Sequence, residues 1–167
     1  MYRITQCLSL GMYPQSEDVP QLRALGITHV LNVSDRPSQV STADGFAGVA
    51  FVPMSDSRRL SPATTVWALD ALHELASQPD AHVYVHCMVG RLRSPTILWL
   101  YLIALGLSKE EARDIIETRS PHATAGHFRM VDHEHVSLAQ THGRARYFPL
   151  PRPEVIVPFP LPEPEEE

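Results

Sequence analysis

The residues best suited to chemistry in this 167-residue chain are a cysteine and an arginine six positions apart, Cys87 and Arg93. Between them lie five residues, Met88-Val89-Gly90-Arg91-Leu92, which predict a tight loop whose backbone N–H groups point at one small volume. Such a volume binds an oxyanion such as phosphate, and the planar guanidinium of Arg93 can grip two of its oxygens. A thiol in that positive field should have a lowered pKa and react as a thiolate. The pattern predicts a nucleophile beneath a phosphate cradle.

A strand before the loop and a helix after it are expected to hold these groups in place. Val83 to Val85 is a short, β-branched and apolar run typical of a buried strand. Ser94-Pro95 predicts a helix start, because serine is a good N-cap and a proline at the first helical position loses no hydrogen bond. The positive end of that helix then faces the same volume. Gly90 allows the loop backbone to turn its amides inward.

The order His86-Cys87, five residues, Arg93 and Ser94 resembles the signature of the cysteine-dependent protein tyrosine phosphatase superfamily. The continuation Ser94-Pro95-Thr96 is most similar to its dual-specificity branch, and the resemblance extends over roughly residues 2–140. It implies that His86 orients the loop without transferring protons. Two loop positions depart from common family patterns. Val89 stands where alanine or lysine is usual and Leu92 where a small residue is common, and the absence of lysine disfavours a highly charged inositol phosphate.

Asp56 is the candidate general acid, 31 residues before Cys87 in a polar loop after a predicted strand. A carboxylic acid is needed there, because an alkoxide or phenoxide leaves poorly without a proton. The resemblance implies an acid at this spacing, whereas from the residues alone a solvated loop acid or a helix cap also fits. Asp35 follows another predicted strand and is the competing candidate, with a turn or cap role beside Arg36 as its alternative. Ser94 can hydrogen-bond the departing thiolate, although an N-cap role would suffice to explain it.

Strands that alternate with helices from residue 2 to residue 140 predict a three-layer α/β domain around a mainly parallel sheet. The predicted strands are 2–10, 27–33, 49–54 and 83–85. The predicted helices are 16–25, one opened by Ser61-Pro62, one opened by Ser94-Pro95, 108–118 and 126–141. In such sheets ligands bind at the carboxyl ends of the strands, where the Cys87 loop and Asp56 are both expected to lie.

Composition predicts one catalytic domain over residues 1–146 and a proline-rich acidic tail over residues 147–167. Residues 149–167 contain seven of the fifteen prolines, five acids and one arginine. The rest of the chain then carries 13 basic and 14 acidic residues, a net charge of −1, which argues against general nucleic-acid binding. The second cysteine, Cys7, is expected to be a buried inert thiol, the alternative being a disulfide with an oxidised Cys87.

These observations predict a metal-independent phosphatase that hydrolyses phosphomonoesters through a phosphocysteine, with phosphotyrosine and phosphoserine/threonine proteins as the default substrates. One alternative is a phosphoinositide or RNA 5′-phosphatase. A second is a sulfur transferase or an arsenate reductase, two reactions that need no general acid. A third is a catalytically idle phospho-binding module.

The nine histidines include no H-E-x-x-H pattern, so neither a metal nor another cofactor is expected. No apolar run reaches the ~20 residues that span a membrane. A reactive thiolate favours a reducing, cytoplasmic setting.

Overall fold

A five-stranded sheet organises the computed structural model, which describes residues 1–165. Its strands are β1 (Tyr2–Arg3), β2 (Leu8–Gly11), β3 (His29–Asn32), β4 (Gly48–Phe51) and β5 (Val83–His86). They lie in the order β1-β2-β5-β3-β4, and β1 is antiparallel to β2 whereas β2, β5, β3 and β4 are parallel. The carboxyl ends of the four parallel strands therefore meet at one edge. The predicted α/β fold with a mainly parallel sheet is confirmed.

Helices cover both faces of the sheet. They are α1 (Val19–Ala24), α2 (Pro62–Ala76), α3 (Arg93–Ala104), α4 (Lys109–Arg119) and α5 (His133–Arg146), with 3-10 turns at Ser16–Asp18, Thr42–Asp44 and Pro153–Ile156. Side chains alternate along the central strands, as a pleated strand requires. Val30 and Tyr84 pack with Leu22 of α1 on one face, while Leu31 and Val85 join the larger core on the other face.

The helix behind the candidate site, α3, is buried along its whole length, and each of its 12 residues is inaccessible to solvent or nearly so. Its sequence is apolar almost all round, which is typical of a helix packed on every side. The indole N–H of Trp99 donates to the carbonyl of Lys109 at 2.9 Å, so even the polar edge of this large side chain has a partner. A site built on the first turn of α3 is therefore held by the core.

Two predicted elements differ from the observed ones. The strand predicted over residues 2–10 is two strands, β1 and β2, joined by a tight turn. The last helix begins at His133 and not near residue 126, because Asp132 is its N-cap and accepts a hydrogen bond from the backbone N–H of Glu134 at 2.9 Å. Residues 126–132 form a loop that leads into this cap.

The C-terminal segment packs against the domain at least as far as Phe159. The Val155 side chain is 3% exposed, and the backbone of Pro158 bridges Thr5 beside the sheet. The guanidinium of Arg152 donates to three carbonyls at the end of α2 and the turn that follows, those of Ala76, Gln78 and Ala81. Residues 166–167 of the predicted tail lie outside the described residues. In the described part of the chain, no helix combines the length and apolar character needed to cross a membrane.

Candidate active site

The Cys87 thiol lies at the base of a loop that joins β5 to α3, and the residue is 2% exposed. Its Sγ accepts a hydrogen bond from the backbone N–H of Gly90 at 3.2 Å and lies 3.3 Å from the Ser94 hydroxyl. Burial by itself raises the pKa of the Cys87 thiol. Hydrogen bonds from the Ser94 hydroxyl and backbone and from the Gly90 amide, with the nearby charge of Arg93, outweigh burial and hold that pKa below its usual value. These contacts favour the thiolate form of the sulfur over the thiol.

Ser94 is not the N-cap of α3, which corrects the expectation from sequence. The helix begins at Arg93, and the preceding residue, Leu92, makes no side-chain capping hydrogen bond. Ser94 therefore lies in the first turn, and its fully buried hydroxyl faces Cys87. Pro95 also lies in this turn, where its missing N–H costs no helical hydrogen bond.

Gly90 is required by two features of the loop. Its φ is +79°, in the left-handed region that glycine adopts most readily, and a Cβ atom would lie 2.8 Å from the carbonyl oxygen of Gly11. The end of β2 thus packs directly on the loop. Two residues beyond Gly11, the backbone N–H of Tyr13 donates to the carbonyl of Met88 at 3.1 Å. The end of β2 and the segment after it therefore hold the backbone of the Cys87 loop in place.

The Arg93 side chain crosses from the Cys87 loop to two neighbouring strand ends. It is 6% exposed, and its Nη1 donates to Oδ1 of Asp35 at 3.2 Å and to the carbonyl of Met54 at 3.1 Å. Neither partner was anticipated from sequence, because each contact joins loops that are distant along the chain. The only available signal was that Asp35 and Met54 both follow strands of the same parallel sheet.

Asp56 is exposed and lines the same cavity as the nucleophile. That cavity has a volume of about 350 Å³ and is bounded by Asp56, Cys87, Val89, Arg91, Leu92, Arg93, His122 and Thr124. A second cavity of about 430 Å³ shares Asp56 and Arg93 and adds Asp35, Arg36, Pro37 and Met88. The cleft above the thiol therefore has two lobes, and the candidate acid stands where they meet.

Asp35 differs from Asp56 in its electrostatic setting. A hydrogen bond from its own backbone N–H, followed by the bond from Arg93, holds the pKa of the Asp35 carboxyl below its usual range. An ionised carboxylate has no proton to donate at neutral pH, so this setting disfavours Asp35 as a general acid. Near Asp56, the exposed Arg59 pairs with Asp132 at the start of α5, and Arg58 is also exposed.

His86 is fully buried beside the nucleophile. Its Nδ1 lies 3.2 Å from the carbonyl oxygen of Cys87, and the rings of Tyr13 and Tyr84 pack against the imidazole. Burial lowers the pKa of His86 to about 4, so the ring is neutral and Nδ1–H can donate to that carbonyl. This geometry suits a residue that fixes the loop backbone.

The cavity wall includes two residues for which the sequence predicts no function. His122 and Thr124 line the cavity, and the backbone N–H of Thr124 donates to the carbonyl of Arg91 at 2.8 Å. No motif in the sequence marks the loop that contains them.

Cys7 lies at the opposite end of the sheet from Cys87. Its carbonyl accepts the N–H of Val83, the first residue of β5, whereas Cys87 follows the last residue of that strand. Cys7 lies level with the residue before Val83, so five steps of about 3.3 Å along β5 separate the two cysteines by roughly 16 Å, too far for a disulfide. Burial raises the pKa of the Cys7 thiol, as expected for an inert cysteine. Among residues 1–165, no cluster of His, Cys, Asp or Glu side chains is arranged to hold a metal ion.

Residues 6–144 match the family model described as "Swiss Army Knife protein, DSP-PTPase phosphatase domain". This match covers most of the chain, which therefore belongs to the dual-specificity branch of the protein tyrosine phosphatase superfamily. The resemblance inferred from the Cys87 loop is confirmed.

Named relatives agree with this family. The chain is 35% identical over 101 residues to dual specificity protein phosphatase 26 of Mus musculus, covering 58% of this chain and 47% of the relative. It is 27% identical over 148 residues to the phosphatidylglycerophosphate phosphatase PTPMT1 of Arabidopsis thaliana, covering 83% of this chain and 44% of the relative. The chain thus spans about half the length of the curated relatives it matches. The crystal structure of human DUSP28 superposes with a TM-score of 0.65 at 25% identity, covering 87% of this chain and 96% of that one.

Proposed function

We propose that this protein hydrolyses phosphate monoesters in two steps through a phosphocysteine intermediate on Cys87, with phosphotyrosine and phosphoserine/threonine proteins as default substrates. The observation that carries the proposal is the setting of the Cys87 sulfur. The sulfur accepts a hydrogen bond from the Gly90 N–H and lies next to the Ser94 hydroxyl. It lines a cavity that Asp56 and Arg93 also line. A nucleophile, an acid and an oxyanion site thus open onto one cleft.

In the first step the thiolate of Cys87 attacks phosphorus, and the bond from phosphorus to the ester oxygen breaks. Asp56 gives its proton to that oxygen, so the leaving group departs as a neutral alcohol or phenol. The inward N–H groups of the loop, from Met88 to Leu92, stabilise the charge on the three equatorial oxygens. Arg93 binds two of those oxygens with a planar, bidentate edge, where the geometry of the transition state matters most.

In the second step water attacks phosphorus, and the bond to sulfur breaks. The Asp56 carboxylate left by the first step accepts a proton from this water, and inorganic phosphate is released. The departing sulfur regains its negative charge, and the hydroxyl of Ser94 stabilises it from 3.3 Å. His86 keeps the carbonyl of Cys87 in place throughout.

Asp56 and Asp35 are the two candidates for the general acid, and their surroundings differ. The pKa of the Asp35 carboxyl is lowered by a hydrogen bond from its own backbone and by Arg93, which disfavours Asp35 as a proton donor. An arsenate reductase or sulfur transferase with a similar loop needs no such acid. The presence of Asp56 in the Cys87 cavity therefore favours ester hydrolysis.

A second candidate substrate class is a phosphorylated lipid. It is favoured by the likeness to the Arabidopsis thaliana phosphatidylglycerophosphate phosphatase, which extends over 83% of this chain. A panel of phosphopeptides, phosphoinositides, phosphatidylglycerophosphate and RNA 5′-ends, compared by kcat/KM, would show whether the substrate is a protein, a lipid or an RNA.

The catalytic domain is proposed to be residues 1–146, with residues 147–167 as an appended segment. A reactive thiolate suits a reducing compartment, so we place the protein in the cytoplasm.

The test is hydrolysis of p-nitrophenyl phosphate in EDTA by the wild-type protein and by Cys87→Ser. The substitution replaces the thiolate by a far weaker nucleophile, so we expect turnover to fall to background while folding is unchanged by circular dichroism. Equal hydrolysis by both proteins would exclude the phosphocysteine mechanism. Phosphopeptide binding without any wild-type hydrolysis would instead indicate an idle binding module.

A further inference from the structure

Asp56 is exposed, and among residues 1–165 its carboxylate takes part in no hydrogen bond or ion pair. Its place in the Cys87 cavity therefore depends on the backbone that carries it. That backbone is the acid loop, residues 55–59, which runs between two buried residues, Met54 and Leu60. The position of the acid is thus set by the contacts that hold these two ends.

At its start the acid loop is tied to elements that border the cavity. The Met54 N–H donates to the carbonyl of Ser34 at 3.1 Å, and the Met54 carbonyl accepts from Nη1 of Arg93 at 3.1 Å. Ser34 follows β3, and Arg93 is the first residue of α3. The start of the loop is therefore fixed relative to the nucleophile.

At its end the acid loop is tied to the segment that leads into α5. The Leu60 N–H donates to the carbonyl of Met130 at 2.8 Å, and Nε2 of His135 lies 2.7 Å from the carbonyl oxygen of Leu60. Met130 is fully buried and His135 is 6% exposed, so water competes little for either bond. Because a carbonyl only accepts, Nε2 carries the hydrogen and His135 is the donor.

Asp132, the N-cap of α5, orients the His135 ring. The Asp132 N–H donates to Nδ1 of His135 at 3.1 Å, and Oδ1 of Asp132 lies 3.0 Å from the same nitrogen. A neutral ring accepts at Nδ1 from the Asp132 N–H, whereas a charged ring donates from Nδ1 to Oδ1. Nε2 keeps its hydrogen in both forms, so the bond to Leu60 does not depend on the charge of the ring.

Asp132 also makes a second bond between α5 and the acid loop. Its Oδ2 accepts from Nη1 of the exposed Arg59 at 2.5 Å. Among residues 1–165 this is the only hydrogen bond from residues 55–59 to another part of the chain. Two residues at the start of α5, Asp132 and His135, therefore hold the loop and the residue that ends it.

α5 is in turn packed on α3, whose first turn contains Arg93 and Ser94. Ala139 of α5 is fully buried in the main core, and a Cβ atom on Gly143 would collide with the carbonyl oxygen of Ala104 at the end of α3. Only glycine allows the two backbones to approach so closely. The helix that bears the phosphate-binding arginine and the helix that holds the acid loop are therefore packed together directly.

We infer that His135 is a positioning residue for the general acid: its bond to the Leu60 carbonyl fixes the acid loop so that Asp56 meets the leaving oxygen in the Cys87 cavity. This inference rests on the proposed function, with Asp56 as the proton donor. His135 does not line that cavity, so it acts through the loop and not on the substrate. Loss of the bond frees one end of the loop, and a displacement of about 1 Å can lower the rate by about a hundredfold.

Positioning of the acid and general destabilisation predict different results when His135 is replaced. A misplaced acid gives a loss in kcat/KM, which reports the first step, that grows as the leaving group becomes more basic. In Asp56→Asn, which already lacks the acid, replacement of His135 should cost nothing further, because the effects of coupled residues are not additive. A smaller amount of folded protein would instead lower kcat/KM by one factor for every substrate, in Asp56→Asn as well.

The experiment compares His135→Leu and His135→Gln with wild type on phenyl phosphate and p-nitrophenyl phosphate. Leucine donates no hydrogen bond, whereas the glutamine amide can donate to the Leu60 carbonyl in place of Nε2. We expect His135→Leu to lower kcat/KM by about tenfold on phenyl phosphate and by less than about threefold on p-nitrophenyl phosphate. His135→Gln should keep at least about a third of the wild-type value on phenyl phosphate. In Asp56→Asn, the leucine substitution should change kcat/KM by less than about twofold.

His29→Leu is the matched control, because His29 is also 6% exposed but begins β3, at the edge of the sheet opposite the cleft. Its kcat/KM should equal that of the wild type on both substrates. If His135→Leu does not fold, Arg59→Ala removes the surface bond from α5 to the acid loop without touching the core. It should lower kcat/KM by about two- to fivefold on phenyl phosphate and less on p-nitrophenyl phosphate.

Wild-type activity in His135→Leu, or in Arg59→Ala where only that variant folds, would overturn the positioning role. Equal losses on the two substrates, in the leucine and glutamine variants, or with and without Asp56 would overturn it as well. The proposed hydrolysis fails by a different result, a Cys87→Ser variant as active as wild type. Wild-type kcat/KM in Asp56→Asn on phenyl phosphate would remove Asp56 as the acid.

Discussion

Replacement of Ser94 by alanine tests whether the thiolate depends on its hydroxyl. Cys87 Sγ lies 3.3 Å from the Ser94 hydroxyl and 3.2 Å from the Gly90 N–H, and both contacts lower the pKa of the thiol against the effect of burial. A hydrogen bond to a charged group contributes about 1.5–3 kcal/mol, which corresponds to roughly tenfold or more in the ratio of thiolate to thiol. The Gly90 amide and the helix N-terminus remain in the variant. We therefore expect the lower end of this range.

The sign of the pH effect follows from the direction of the shift. The pKa of Cys87 is lowered, so at a given pH a larger fraction of the wild-type thiol is ionised than in a free cysteine, and the thiolate is lost as the pH falls through that pKa. Removal of the Ser94 hydrogen bond raises that pKa, so the thiolate is lost at a higher pH. The rate of alkylation by iodoacetamide reports the thiolate fraction directly. We expect Ser94→Ala to be alkylated about tenfold more slowly at mildly acidic pH and to approach the wild-type rate on the alkaline side.

The same substitution should change which step limits turnover. In the proposed second step the sulfur leaves as a thiolate, and Ser94 stabilises it as it departs. Without that hydroxyl the phosphocysteine should accumulate, and stopped-flow measurements should show a burst of p-nitrophenol before steady state. Ser77→Ala is the matched control, because the Ser77 hydroxyl donates to the His73 carbonyl at the end of α2. Unchanged alkylation together with no burst would refute this role of Ser94.

Two further predictions concern the acid and the C-terminal segment. Asp56→Asn should lower kcat by about 10²–10⁴-fold on substrates with poor leaving groups and less on p-nitrophenyl phosphate. A general acid acts only in its protonated form, so the variant should lack the alkaline limb that such an acid gives to the pH–rate profile, and an unchanged profile would reassign the acid. Arg152→Ala should lower Tm by about 3–6 °C through loss of its bonds to three carbonyls near the end of α2, with kcat unaffected. Arg144→Ala on the exposed side of α5 is its control, and equal Tm values would show that Arg152 does not hold the segment in place.

The sequence was sufficient to predict the elements whose signals are local. An apolar strand, a glycine and a helix-forming apolar run surround Cys87 within a short stretch, and each feature acts on its neighbours in the chain. The capping box of Ser108 and Glu111 at the start of α4 is of the same kind, and the structure contains it. The prediction of a mainly parallel sheet is confirmed for a similar reason, since α1 between β2 and β3 and α2 between β4 and β5 favour parallel strands, whereas β3 and β4 are joined by a loop with only a 3-10 turn.

The partners of Arg93 could not be predicted in this way. Its contacts with Asp35 and Met54 join residues separated by 58 and 39 positions, and only the strand order β5-β3-β4 brings them together. The prediction that Ser94 is the N-cap of α3 is wrong for a related reason. Serine before proline is typical of a helix start, but the thiol of Cys87 competes for the same hydroxyl, and that thiol is close only once the loop has formed. Local propensity fails here at the residues that the proposed chemistry uses.

The two departures of the loop from the family pattern have different consequences in the folded protein. Leu92 packs in part against the main core, so much of its larger side chain is accommodated by the interior. Val89 is 60% exposed and lines the cavity that contains Cys87. A neutral branched side chain there offers no charge to a second phosphate, whereas a lysine would attract one. Selection among substrates should therefore depend on the group that carries the phosphate and on its contacts with His122 and Thr124 in the same cavity, more than on additional negative charge.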